Sequence, residues 1–198
     1  MNDYDLRRHF ARWISSHDWD VFGTLSFAAG RKPSVAEAER HWSRFWNKAD
    51  RLCNGQSRSN RQRLQRFVFT HLGAGGDNHH IHFLAKARGD TREFCILLNA
   101  LWAGLDHANS AVPGQNEILP LISKHHASWY LLHEGMGDAQ GFSTTLSNLS
   151  ANEFGALSDG MAKLRQAADR GGYLQDASVA YEKQLARAQQ RYTQRTSK

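Results

Sequence analysis

The chain of 198 residues has only two cysteines and three prolines, and no apolar run approaches the roughly eighteen residues of a membrane-spanning helix. Cys53 and Cys95 are too few and too far apart for a disulfide framework or a zinc knuckle, so both are expected to be reduced and partly buried. The opening Met1-Asn2-Asp3-Tyr4-Asp5 lacks the basic-then-apolar pattern of a signal peptide. Together these absences predict a soluble, cytoplasmic protein without membrane contact. Internal repeats, a phosphate-binding glycine loop and helicase motifs are also missing, which removes the usual signatures of a nucleotide-driven motor. Acidic charge is in deficit, with 19 Asp+Glu against 25 Lys+Arg and a formal net charge of +6. A basic chain with a pI near 9.6 and arginine ahead of lysine suits a polyanionic partner.

Histidine is plentiful, with eleven in the chain, and its placement organises the rest. In His79-His80-Ile81-His82-Phe83-Leu84 the period of an extended strand puts His80 and His82 on one face and Ile81 on the other. Upstream, Phe67-Val68-Phe69-Thr70-His71-Leu72 reads as a second strand. The glycine-rich stretch 73–78 between them is the composition of a hairpin turn. Such a hairpin returns His71 toward the histidine pair. Three neutral nitrogen donors could then hold one divalent ion with positions left over, as catalytic metal sites require.

Around this hairpin the chain alternates strand and helix patterns. Residues 6–14 carry the stripe of a short amphipathic helix, and Trp19 to Phe27 read as a central strand. Ser34-Val35-Ala36-Glu37 is a capping box opening a helix to about Leu52, with Ala38, Trp42, Phe45, Trp46 and Ala49 on its buried face. Four arginines, Arg58, Arg61, Arg63 and Arg66, precede the hairpin and are the first choice for gripping phosphates. Lys86 and Arg88 close its second strand and join that set. Asp90 caps a helix whose apolar side runs from Phe94 to Leu105, and Glu117 to Ile122 form a short strand demoted to an edge by Pro120. His125 to Gly135 reads as a helix on which His126, Tyr130 and Glu134 are spaced i, i+4, i+8, with His133 one turn from Tyr130. A tyrosine flanked by ionisable groups is a candidate nucleophile. Beyond Phe142 a polar connection leads to two further helices, about 152–168 and 174–195, the last only weakly apolar. Tyr173 and Tyr181 lie there as rival nucleophiles.

His80-Ile81-His82 resembles the histidine-hydrophobic-histidine motif of the HUH endonucleases, and specifically the single-tyrosine rolling-circle replication initiators. Phe22 to Phe27 is similar to their aromatic, hydroxyl-rich first motif. Tyr130-Leu131-Leu132-His133-Glu134-Gly135 is similar to their Tyr-x-x-Lys motif, about fifty residues after the histidine pair. The order agrees over roughly residues 19 to 135. Two departures stand out: His133 replaces the motif lysine, for which Lys124 is a substitute, and His71 stands where a carboxylate is usual.

The resemblance implies a metal-dependent nickase and ligase for single-stranded DNA or a DNA hairpin at an origin. Tyr130 would be the nucleophile forming a 5′-phosphotyrosine, and His133 its catalytic partner. His71, His80 and His82 would be the metal ligands, with His126, Lys124 and Glu134 auxiliary. The implied ion is Mn2+ or Mg2+, and three imidazoles favour manganese or a later transition metal. A host helicase would have to open the duplex. A single-tyrosine transposase, a DNA-binding module on the same fold that has lost cleavage, and a metal-binding domain unrelated to nucleic acid are the alternatives. The element order predicts an α+β sandwich with an antiparallel sheet whose central strands present the histidines. The resemblance implies the same class, as a ferredoxin-like or RRM-like antiparallel sheet flanked by helices, with a nuclease-like domain over 1–141 and a helical C-terminal extension over 142–198.

Overall fold

The computed structural model describes residues 3–55, 63–73, 78–133, 141–150 and 159–196. Its elements follow in the order α1 (Asp3–Ser15), β1 (Val21–Ser26), α2 (Val35–Asn54), β2 (Arg66–His71), β3 (His80–Ala85), α3 (Thr91–Ala103), β4 (Glu117–Pro120), α4 (Lys124–His133), α5 (Gly160–Arg170) and α6 (Leu174–Thr196). The strands form one antiparallel sheet in the order β2-β3-β1-β4. With α2 and α3 as the crossovers, this is the split β-α-β topology of ferredoxin-like folds, as expected.

Local chemistry accounts for the boundaries. Ser34 and Glu37 close the capping box of α2 reciprocally, with Glu37 N–H donating to Ser34 Oγ at 3.3 Å and Ser34 N–H to Glu37 Oε2 at 2.8 Å. Asp90 caps α3 by accepting the Glu93 N–H at 2.7 Å. Strand β4 is an edge strand and ends on Pro120, which has no N–H to give a neighbour. The outer edge of β2 is bridged by residues from the later connection, Asn148 to Arg66 and Phe142 to Phe69.

The two faces of the sheet bury separate cores. One face, with Val21, Leu25, Val68, Ile81, Phe83 and Ile118, packs against α2 and α3. Here β1 and β3 touch closely: the Phe83 ring lies over Gly23, its register partner, where a Cβ would collide with the ring. The opposite face packs Phe67, Phe69 and Leu84 against Ile14 and Ala11 of α1 and Leu131 and Leu132 of α4, and leaves one end open.

The two helices that follow residue 141 pack directly on α3. α5 and α6 cover the outer side of α3 and place Leu164, Ala168, Ala177 and Tyr181 in the same core as Trp46 and Phe83. The physical reason lies in α3 itself, buried at every position from Phe94 to Ala103. A helix apolar all round must be covered on its far side as well as its near one. Small residues permit the approach: a Cβ on Gly104 would come within 2.7 Å of the Gly171 Cα. α6 is thus held in the core by alanines and Tyr181 rather than by large aliphatics, which is why its sequence looks weakly apolar. Cys53 and Cys95 are free and buried, the first with its thiol pushed up to about 12 by burial.

Candidate metal centre

At the open end of the second face the hairpin register brings the histidines together. His71 on β2 pairs directly with His80 on β3, and His82 follows two residues on, on the same side. The candidate ligand nitrogens of His71, His80 and His82 all lie within 4.8 Å of one another. The His71 and His80 rings stack at 5.2 Å with 13° between planes, and His82 meets them edge-on at 4.7 and 4.9 Å.

Hydrogen bonds orient two of the rings. His80 Nδ1 lies 2.8 Å from the Asn78 carbonyl, so Nδ1 carries the proton and Nε2 the lone pair. His82 Nδ1 lies 2.8 Å from Thr24 Oγ1, and Thr24 is its register partner on β1. This is the supporting layer that metal-binding histidines commonly have, the far nitrogen bonded so that the near one can bind. Burial holds His71 down to about 4, with His80 adding to the effect, and holds His82 well below its ordinary value, with His71 and His80 contributing. Both are therefore neutral near pH 7, the form that binds a metal. Two nitrogens bound to one ion at about 2.1 Å stand at most about 4.2 Å apart, so small side-chain rotations complete the fit. The donor set is chemically suited to a metal ion, and this cluster could hold one.

Tyr130 stands beside the cluster. On α4, Leu131 and Leu132 are buried toward the sheet while Tyr130 is 46 % exposed. Its ring meets His82 edge-on at 5.1 Å and Phe22 at 5.8 Å, and Phe22 stacks on His82 at 5.9 Å. Tyr130, the three histidines, Thr24 and Ser26 line one cleft of about 870 Å³. Its far wall holds Glu117 of β4 and Arg191 of α6, whose guanidinium is 3.4 Å from the Glu117 carboxylate.

Of the other expected site residues, the structure places Arg66, Lys86 and Arg88 away from the cleft. Lys124, His126 and His133 are on α4, but their side chains lie outside the described residues, as do all of Glu134, Arg58 and Arg61. Arg66 is a correction. Its side chain is 2 % exposed, bonded through Nη1 to Asp50 Oδ1 at 2.9 Å and through Nε to the Leu146 carbonyl at 2.6 Å, under the Trp46 ring at 4.6 Å. A guanidinium so enclosed does not grip a phosphate. Lys86 is bound to Asp18 and Asp20 at 2.6 and 3.1 Å, and Arg88 donates to Asn54 at 3.1 Å. Both follow the end of β3 remote from His80, about 20 Å along the strand at ~3.3 Å per residue. Arg63 is half-buried and stays at the surface.

The rival tyrosines separate from the cluster by face. Tyr181 is buried in the α2 and α3 core with its phenol pushed up to about 12 by burial, and Tyr173 packs beside that core. The sheet stands between that core and the histidines. Thr24 and Asn78 are contributors that sequence reasoning did not single out. The hydroxyl-rich pattern of β1 was the available signal for Thr24, but only the strand register aims it at His82. Comparisons with protein-family models, curated proteins and solved structures return no match.

Proposed function

We propose that the chain is a metal-dependent nicking and rejoining enzyme for single-stranded DNA that uses Tyr130 as its nucleophile. The observation that carries this reading is the placement of an exposed tyrosine ring 5.1 Å from His82, at the mouth of a cleft floored by three clustered imidazoles. Tyr130 Oη forms a bond to phosphorus and the bond to the 3′-oxygen breaks, leaving a 5′-phosphotyrosine and a 3′-hydroxyl. A phenol with an ordinary pKa near 10 must lose its proton to attack at neutral pH. By helical spacing His126 and His133 are the bases nearest in sequence to take it. Thr24 and the Asn78 carbonyl hold His82 and His80 in orientation. A divalent ion held by His71, His80 and His82 would supply charge to polarise a phosphate oxygen. Nitrogen donors favour manganese or a later transition metal over magnesium. The covalent link keeps the energy of the broken bond, so the strand can be rejoined or passed to another 3′-hydroxyl. That chemistry suits initiation of rolling-circle replication on a plasmid, phage or mobile element.

A covalent-capture assay tests the reading. Protein, manganese and a degenerate pool of single-stranded and hairpin DNA are combined, and denaturant-stable adducts are mapped by mass spectrometry. The expected result is a metal-dependent adduct on Tyr130, lost in Tyr130→Phe and His80→Ala. Metal binding and DNA retention without an adduct would move the reading to a binding module that does not cleave.

A further inference from the structure

Arg66 is buried, but a group of exposed arginines lies close by on α2, on the side of the sheet away from the histidines. Helix α2 carries Arg40, Arg44, Lys48 and Arg51 at spacings of three and four residues, so they share the side turned away from Trp42, Phe45 and Trp46. Arg40, Arg44 and Arg51 are exposed. With Arg63 and Thr145 they wall a groove of about 1030 Å³ whose polar lining includes Ser43 and Asn47.

Two acidic residues, Glu39 and Asp50, also line it. Asp50 is engaged by the buried Arg66 at 2.9 Å, so four surface arginines face a single uncommitted carboxylate. Among the described residues, none of Arg40, Arg44, Lys48, Arg51 and Arg63 sits in an ion pair. Burial and then the charges of Arg44, Arg170 and Arg51 hold the Lys48 ammonium below its usual value, which marks a convergence of like charge. An anion seated there offsets that repulsion.

We propose that the outer face of α2, with Arg63, is a docking track for the phosphodiester backbone of a nucleic acid, separate from the histidine cleft. Arg40 to Arg51 covers about 16 Å of helix at ~1.5 Å per residue. That length is matched by about five phosphates of one strand at ~3.4 Å each. Guanidinium groups and neutral donors such as Ser43 and Asn47 are the groups that bond phosphate oxygens without reading bases. A lipid surface is the poorer fit, because the large apolar side chain that α2 exposes is Val35 at its first residue. The track lies on the sheet face opposite the triad, and the inference goes beyond the nuclease reading: it holds whether or not Tyr130 cleaves.

Fluorescence anisotropy with a 20-base-pair DNA duplex and a 20-nucleotide single strand tests it, in the absence of divalent metal and over a series of salt concentrations. The expected result for the triple variant Arg40→Ala/Arg44→Ala/Arg51→Ala is a log K against log salt slope shallower by about 2.7 on duplex, or about 2.1 if the single strand is the ligand. The corresponding triple lysine variant keeps the slope, and Arg44→Ala alone lowers it by about 1. Thermal melts confirm that these surface variants fold. A slope unchanged in the triple alanine variant overturns the proposal. So does wild-type protein that binds neither probe at low salt, or a triple alanine variant that loses only binding to phosphatidylglycerol vesicles.

Discussion

At the scale of single residues the histidine cluster depends on side chains that are not themselves candidate ligands. Thr24 reaches His82 Nδ1 at 2.8 Å from the neighbouring strand and sets which ring nitrogen faces the other two histidines. Thr24→Val keeps the shape and removes the bond, so metal affinity measured by calorimetry with Mn2+ or Zn2+ is expected to fall about 10–100-fold with the fold intact. The same burial that keeps the imidazoles neutral makes stability depend on pH. His71 takes up its proton near pH 4 when folded and near its ordinary value of 6.5 when unfolded. Between those values the unfolded chain binds the proton and the native chain does not, so acid favours unfolding. The contribution of neutral His71 to stability is fully present above about pH 6.5 and is lost as pH falls toward 4, with His82 acting in the same direction. Urea melts at pH 7.5, 5.5 and 4.5 should show falling midpoints, and His71→Phe should flatten that dependence.

Elements were legible in the sequence wherever a period or a cap carried the information. The capping box of α2, the Asp90 cap and the alternation of β3 each rest on neighbouring residues, and each predicted its element, while the centre of the glycine-rich turn lies outside the described residues. The return of His71 toward the histidine pair was legible from the hairpin, but its direct pairing with His80 appears only in the strand register. What local pattern could not convey was the direction of Arg66. It belongs to a run of surface arginines in sequence, yet the first residue of β2 turns under Trp46 to meet Asp50 of α2. That contact ties helix to strand: Asp50 also accepts the Leu64 N–H at 2.8 Å. Asp50→Ala leaves a buried guanidinium without its counter-charge and is expected to cost about 3–5 kcal/mol in denaturant melts. An Asp50→Leu/Arg66→Met double variant should recover only part of that loss: it removes the uncompensated charge but leaves the Leu64 N–H and the Leu146 carbonyl without the partners that Asp50 and Arg66 supply.

For the whole molecule, the shared core of α2, α3, α5 and α6 argues that the chain folds as one cooperative body. Its clue was present in Phe94 to Ala103, a decapeptide with a single polar residue, Asn99. The stripe there was read as one-sided, and the second side could be recognised only once a covering helix was in view. A chain cut after residue 141 should therefore lose its near-ultraviolet circular dichroism and its sharp thermal transition; a truncated protein that melts cooperatively would restore the two-domain division. The full chain should melt in a single step by fluorescence and circular dichroism alike. The last helices and the connection before them also do something at the sheet's margins. Phe142 and Asn148 bridge the outer edge of β2, while α6 lies along β4, with Gln184 donating to the Asn116 carbonyl at 2.5 Å. Among the described residues, two copies crowded together thus meet a bridged edge at β2 and, at β4, a four-residue edge that ends on Pro120, so little strand is offered along which to zip. Their encounters are between charged helical surfaces, so concentrated solutions should stay dispersed at low salt through mutual repulsion rather than seed fibrous growth.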